Sequence, residues 1–117
     1  MSTFLSHGAS VDAIRRQVVE TAEAMLNGQI SFLLGARHLA SLRFDVDVSG
    51  DDADFLTFVG IASETDSFPL GEIRKQWSTE ALARLEKDIQ YAEAWAVGVG
   101  SEACKSLITR FATSVAR

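Results

Sequence analysis

Apolar residues recur at helical spacing from Ser10 onward. Ser10 suits a helix N-cap, and the apolar positions after it follow at intervals of three and four residues: Val11, Ile14, Val18, Ala22 and Met25. This spacing places them on one face of a helix, and the pair Asn27-Gly28 is typical of a helix C-terminus. We therefore predict a first helix over about residues 10–27, preceded by a loose leader over residues 1–9.

Four further segments carry helical patterns, over residues 29–43, 52–63, 79–97 and 101–115. The first of them is apolar on nearly every side, which is typical of a central helix buried by several neighbours. Gly98 and Gly100 separate the last two, but two glycines weaken a helix by only about 2 kcal/mol. The sequence therefore leaves open whether these form one bent helix or two. The pattern predicts an all-α, single-domain bundle of four to five helices within residues 10–117.

Composition and charge narrow the class of protein. A chain of 117 residues has the usual size of one domain, and 47% apolar residues argue against disorder. The formal net charge of -5 disfavours binding to nucleic acid, because an acidic surface repels the phosphate backbone. No apolar run reaches the roughly 18 residues of a membrane span, and the single cysteine, Cys104, cannot form an internal disulfide. We expect a cytoplasmic protein without a membrane partner.

Five aspartates fall within residues 45–54, between the second and third predicted helices. The opening Asp45-x-Asp47-x-Ser49-Gly50 resembles a calcium-binding loop, but the twelfth position, where a bidentate carboxylate belongs, is Leu56. We therefore predict no metal site here. Two interpretations remain open: a solvated loop that contains a helix N-cap, and a negative patch that complements a basic partner.

A polar cluster is predicted around the turn that follows the third helix: Arg37, Glu64, Asp66, Arg74 and Trp77. Carboxylates that face an arginine can bind a polar ligand or take part in acid–base chemistry. More often such a cluster is a structural clamp, because ion-pair networks also form at sites without function. In the clamp, Arg74 pairs with a carboxylate while Trp77 packs beneath it. Arg37 would then reach Glu64 or Asp66 across the bundle. We favour the clamp.

The run S-E-T-D-x-F-P-x-G-x-x-R-x-x-W, from Ser63 to Trp77, is followed by an alanine-rich helix through Glu93-Ala-Trp95. Together these segments, about half of the chain, resemble a family of small uncharacterised bacterial proteins. The resemblance implies a bacterial, cytoplasmic, helical protein, and it implies no reaction. It also implies that six residues of the turn belong together: Glu64, Asp66, Pro69, Gly71, Arg74 and Trp77.

No constellation for catalysis or metal binding is found. Two histidines and one cysteine do not supply a zinc site, and no nucleophile lies beside a base, so a binding protein is favoured over an enzyme and no cofactor is expected. We expect a bacterial interaction protein of the immunity or antitoxin type, which occludes a basic toxin through acidic residues: Asp45, Asp47, Asp51, Asp52, Glu64 and Asp66.

Two alternatives to that function stay open. One is a small-molecule-binding or regulatory protein with a polar pocket around Arg37, Glu64, Asp66 and Arg74. The other is a homodimer in which surplus apolar helix faces pack together.

Overall fold

A computed structural model describes the backbone of residues 3–115 and the side chains of residues 10–112. It contains four α-helices: α1 (Thr3–Leu26), α2 (Phe32–Leu42), α3 (Ala53–Glu64) and α4 (Thr79–Val115). Two short 3-10 helices, Arg43–Asp45 and Gly71–Gln76, lie in the connections that precede α3 and α4. The described part of the chain contains no strand, so the predicted all-α fold is confirmed.

The helices enclose one apolar core. α1 packs mainly on α4 and α2 mainly on α3, while α2 also contacts α1 and α4. Seven residues of α2 are buried, as its apolar pattern predicts for a central helix: Phe32, Leu33, Gly35, Ala36, Leu39, Ala40 and Leu42. The largest fully buried side chains of the core include Phe55 and Phe58 of α3 and Leu107 of α4. Burial of such side chains stabilises the bundle through the hydrophobic effect.

α1 begins earlier than its apolar stripe indicates. Residues 3–9 are helical, where the sequence pattern predicts a loose leader, and Met1 and Ser2 lie outside the described residues. The segment contains no proline, and one interior glycine, Gly8, costs a helix only about 1 kcal/mol. The backbone can therefore extend its hydrogen bonding toward the N-terminus beyond the point where the apolar periodicity stops.

α4 is one helix of 37 residues, so the two segments predicted over 79–97 and 101–115 are continuous. The reason for a glycine within it is packing. A Cβ added at Gly100 would lie 2.7 Å from Cε1 of Phe32 and 3.1 Å from Cδ1 of Ile61. Gly100 thus allows α4 to pass close to both α2 and α3, whereas a Cβ at Gly98 would meet nothing within 4 Å.

A carboxylate of α4 also holds the start of α2. The backbone N–H of Phe32 donates to Oε1 of Glu93 at 2.9 Å, and the Ser31 hydroxyl donates to the other carboxylate oxygen. Ser31 Oγ in turn accepts from the backbone N–H of Leu34 at 3.2 Å. The first N–H groups of a helix lack partners within the helix, and a negative charge is favourable there. Glu93 therefore caps α2 from a different helix.

Gly98→Ala and Gly100→Ala form a matched pair that tests the close approach of α4. Alanine is favoured over glycine inside a helix by about 1 kcal/mol, so we expect Gly98→Ala to raise the free energy of unfolding. At position 100, overlap with the buried Phe32 ring costs about 1–3 kcal/mol, so we expect Gly100→Ala to lower it. Urea denaturation measures both changes. An equal gain from both substitutions would contradict the packing role of Gly100.

Candidate functional site

At the C-terminal end of the acidic loop that precedes α3, the carboxylate of Asp52 is bound by other groups of the protein. Asp52 is the N-cap of α3, where Oδ1 accepts from the N–H groups of Asp54 at 3.1 Å and Phe55 at 3.3 Å. The same carboxylate pairs with Arg110 of α4, with 2.6 Å between Nη2 and Oδ2. The hydrogen bond from Arg110 is the main reason that the pKa of Asp52 lies below its usual value, although burial opposes the shift.

Asp54 completes this contact between α3 and α4. Its Oδ2 accepts from Nη1 of Arg110 at 2.7 Å and from the Ser106 hydroxyl at 2.6 Å. The two carboxylates raise the pKa of the Arg110 guanidinium above its ordinary value, chiefly through the hydrogen bond to Asp52. Asp52, which the sequence places in a partner-binding surface, therefore holds α3 against α4 instead of standing unpaired on the surface.

The remaining acidic residues of this loop are exposed but held on a fixed connector. Val46 is fully buried, and its carbonyl accepts from Nη2 of Arg15 at 2.8 Å, which ties the loop to α1. Asp47 next to it has a φ of 56°, a left-handed conformation that aspartate tolerates better than most residues. Asp51 accepts a hydrogen bond from the Ser49 hydroxyl, and Asp45 is solvent-exposed.

The turn after α3 is held by Arg37 through the backbone. From α2, the Nη2 atom of Arg37 donates to the carbonyl of Phe68 at 3.1 Å and to that of Thr65. Thr65 is buried, and its hydroxyl donates to the carbonyl of Ile61 at 2.8 Å. Arg37 thus clamps the turn through two carbonyl oxygens, and its described hydrogen bonds do not include the carboxylates of Glu64 or Asp66 that the sequence predicts as its partners.

The other members of the predicted polar cluster do not join this clamp. Among the described side chains, Arg74 makes no ion pair with Glu64 or Asp66, both of which are exposed. Trp77 follows the second 3-10 helix and is 39% exposed, and its packing beneath the turn stays a prediction. Neither Arg37 nor Arg74 lines the cavities between α3 and α4, and the pocket expected around them stays a prediction.

A groove that the sequence pattern did not predict lies between α3 and α4. Two adjoining cavities of about 390 and 380 Å³ share Glu64 and Trp95 in their lining, and we call them together the α3–α4 groove. The two helices run antiparallel, because Asp54 contacts Ser106 while Glu64 lies beside Trp95. The walls are a stripe on each helix: Leu56, Gly60 and Glu64 on α3, and Asp88, Tyr91, Trp95 and Val99 on α4.

The side chains of the α3–α4 groove are aromatic, apolar or acidic. Tyr91 is 80% exposed and Trp95 is 40% exposed. Glu64 and Asp88 are also exposed, and neither carboxylate has an ion pair or a side-chain hydrogen bond within the described part of the chain. No lysine or arginine lines either cavity. The groove therefore combines exposed aromatic area with negative charge that no residue of its lining neutralises.

A sequence signal for this groove existed on α4. Asp88, Tyr91, Trp95 and Val99 follow one another at intervals of three and four residues, which places them on one helical face. This stripe runs beside the core-facing apolar stripe from which the helix is predicted. Because it includes polar residues, it is hard to recognise as a separate face. The matching stripe on α3 mixes a leucine, a glycine and a glutamate, which no periodicity argument marks as a surface.

Other kinds of site find no support among the described residues. No group of three or more His, Cys, Asp or Glu side chains there is placed to hold a metal ion. Burial raises the pKa of the Cys104 thiol to about 12, so this cysteine is in its unreactive protonated form at neutral pH. None of the helices in the described range has the length and apolar character that a membrane span needs.

The chain matches no protein-family model, no curated protein and no solved structure. The resemblance of the Ser63 to Trp77 segment to a bacterial family therefore stays a prediction.

Asp52→Asn removes the ion pair with Arg110 and keeps the helix cap, because asparagine caps a helix about as well as aspartate. We expect the free energy of unfolding at pH 7 to fall by about 1 kcal/mol, a modest loss because Arg110 is 34% exposed and solvent screens the pair. The pKa of Asp52 is lowered on folding, so its contribution is complete above the unfolded value of about 3.9. It is lost as the pH falls through the folded value.

Urea denaturation of Asp52→Asn and the unsubstituted protein between pH 7 and pH 2.5 checks this expectation. The difference between the two should shrink at acidic pH. Asp51→Asn, an equal charge change at an exposed neighbour, should shift stability by less than about 0.5 kcal/mol. A difference for Asp52→Asn that does not vary with pH would rule out the pairing with Arg110 as its cause.

Proposed function

We propose that this chain is a protein-binding module that holds a basic protein partner in the α3–α4 groove. The observation that carries the proposal is the pair of exposed carboxylates, Glu64 and Asp88, that line the same cavity as exposed Tyr91 and Trp95. Tryptophan and tyrosine are enriched among the residues that dominate binding energy at protein interfaces. Carboxylates at the rim of such a patch select a cationic partner and speed its association.

The charge of the whole chain supports the same kind of partner. At a formal net charge of -5, the molecule attracts basic proteins over distances of about 10 Å, the screening length at moderate salt. The exposed Asp45 and Asp51 add to this field from the loop before α3, while Asp52 is already paired with Arg110. The groove is therefore the main contact surface in this proposal, and the acidic loop contributes long-range attraction.

An immunity or antitoxin protein that occludes a basic toxin is the specific form of this function that we favour. Such a protein needs a small stable scaffold, an acidic surface and no catalytic group of its own. The alternative, a small-molecule site around Arg37, Glu64, Asp66 and Arg74, has less support. The guanidinium of Arg37 already donates to the carbonyls of Thr65 and Phe68, and Arg74 pairs with neither carboxylate among the described contacts.

Capture of partners from a lysate of the source organism, with and without groove substitutions, tests the proposed function. We expect a protein of basic isoelectric point to be retained at low salt and released at high salt. Glu64→Gln combined with Asp88→Asn should weaken its binding about fivefold, which is the size expected for two solvent-exposed ion pairs. Trp95→Ala should weaken it by about thirtyfold if Trp95 is a central contact.

Glu20→Gln combined with Glu23→Gln is the matched control. It makes the same charge change at two exposed positions of α1, outside the residues that line the groove. Binding that this control and the groove pair weaken equally would show an effect of net charge alone. Recovery of no basic protein at low salt would contradict the proposed function itself.

A further inference from the structure

The geometry points to an amphipathic helix, apolar at one end and basic at the other, as the segment of the partner that occupies the α3–α4 groove. This inference rests on the proposed function. It adds the shape and charge pattern of the occupant, and both follow from the walls of the groove.

The groove has the length of a short helix. Its wall on α4 runs from Asp88 to Val99 and its wall on α3 from Leu56 to Glu64. At 1.5 Å per residue these stretches span roughly 16 and 12 Å, which corresponds to about two to three turns of a helix. A third helix that lies between two antiparallel helices is an ordinary packing arrangement, with axes about 8–10 Å apart.

The walls favour a helix over an extended segment. Both walls are α-helices, whose backbone N–H and C=O groups bond within their own helix, so the groove offers no strand edge. An extended occupant would leave the backbone groups that face the walls without partners, which is costly where water is excluded. A helical occupant satisfies its own backbone. Gly60 leaves open space in the wall, since a Cβ there would meet nothing within 4 Å.

Charge is segregated along the groove. In the cavity toward the start of α3, the lining residues Leu56, Gly60 and Val99 are uncharged, and the one charged residue is Glu64, where this cavity adjoins the other. Glu64 lies at the end of α3, and Asp88 lines only the other cavity, beyond Tyr91. The two ends of the α3 wall are eight residues apart, roughly 12 Å along the helix. A complementary helix therefore carries apolar anchors on one face and lysine or arginine on the same face about two turns away.

Three synthetic peptides of about 18 residues test this pattern, since isolated helices shorter than roughly 15 residues are marginal in water. The first carries leucines at i, i+4 and i+7 and lysines on the same face two turns further on. The second has the same composition with its lysines on the opposite face. The third carries a central proline, which breaks a helix. Binding is read from the fluorescence of Trp95 in a Trp77→Phe background, where it is the only tryptophan.

We expect the first peptide to shift the Trp95 emission to shorter wavelength and to gain helical circular dichroism on binding. The second and third should bind more than tenfold more weakly. Glu64→Gln with Asp88→Asn should raise the dissociation constant of the first peptide about fivefold. Glu20→Gln with Glu23→Gln should leave it unchanged.

Five outcomes would overturn this inference. Equal binding of the proline peptide would mean that the occupant is extended. Equal binding of the second peptide would mean that the position of the lysines does not affect binding. A Trp95 shift that appears with protein concentration alone would make a second copy of the chain the occupant. Failure of all peptides, while a captured basic protein still depends on Glu64 and Asp88, would reject the helix and leave the proposed function standing. Absence of both peptide and protein binding would reject both.

Discussion

The close approach of α4 to α2 and α3 at Gly100 is the constraint on which the rest of the structure depends. A side chain at this position would overlap Phe32 and crowd Ile61, so only a hydrogen atom fits between the helices. Because α4 passes this point without a break, residues 88–99 continue alongside α3 in the right register. A break near Gly98 would separate the two stripes that form the walls of the α3–α4 groove.

Some of the described carboxylates are paired within the protein and others remain unpaired at its surface. The difference depends on whether a donor lies nearby on another helix. Asp52 and Asp54 meet Arg110, and Glu93 meets the unpaired N–H of Phe32. These three acidic side chains link helices and have little capacity left for a partner. Glu64 and Asp88 meet no such donor in the described part of the chain, so their charge remains available at the surface.

The turn that Arg37 holds is next to the α3–α4 groove, and this contact helps to fix the shape of the groove. Arg37 holds the carbonyls of Thr65 and Phe68, and both of these residues also line the groove. The turn that ends α3 is therefore fixed from the inside by α2, while its outer side faces the groove. A binding surface built on rigid helices and a clamped turn loses little conformational entropy when a partner binds.

The sequence by itself determined the helices and their core faces, because apolar periodicity, caps and glycines act over a few neighbouring residues. It located α2, α3 and both halves of α4, and it identified a helix cap at Asp51 or Asp52. It did not locate the start of α1 at Thr3, since the backbone continues helical where the apolar stripe is absent.

Only the tertiary structure decided which polar residues are paired and where a surface is concave. Arg110 lies 58 residues from Asp52 and Glu93 lies 61 residues from Phe32, so no local pattern relates them. The groove exists because two antiparallel helices bring two short stripes of aromatic, apolar and acidic side chains side by side. Such contacts depend on how the whole chain packs, and packing joins residues that are distant in sequence.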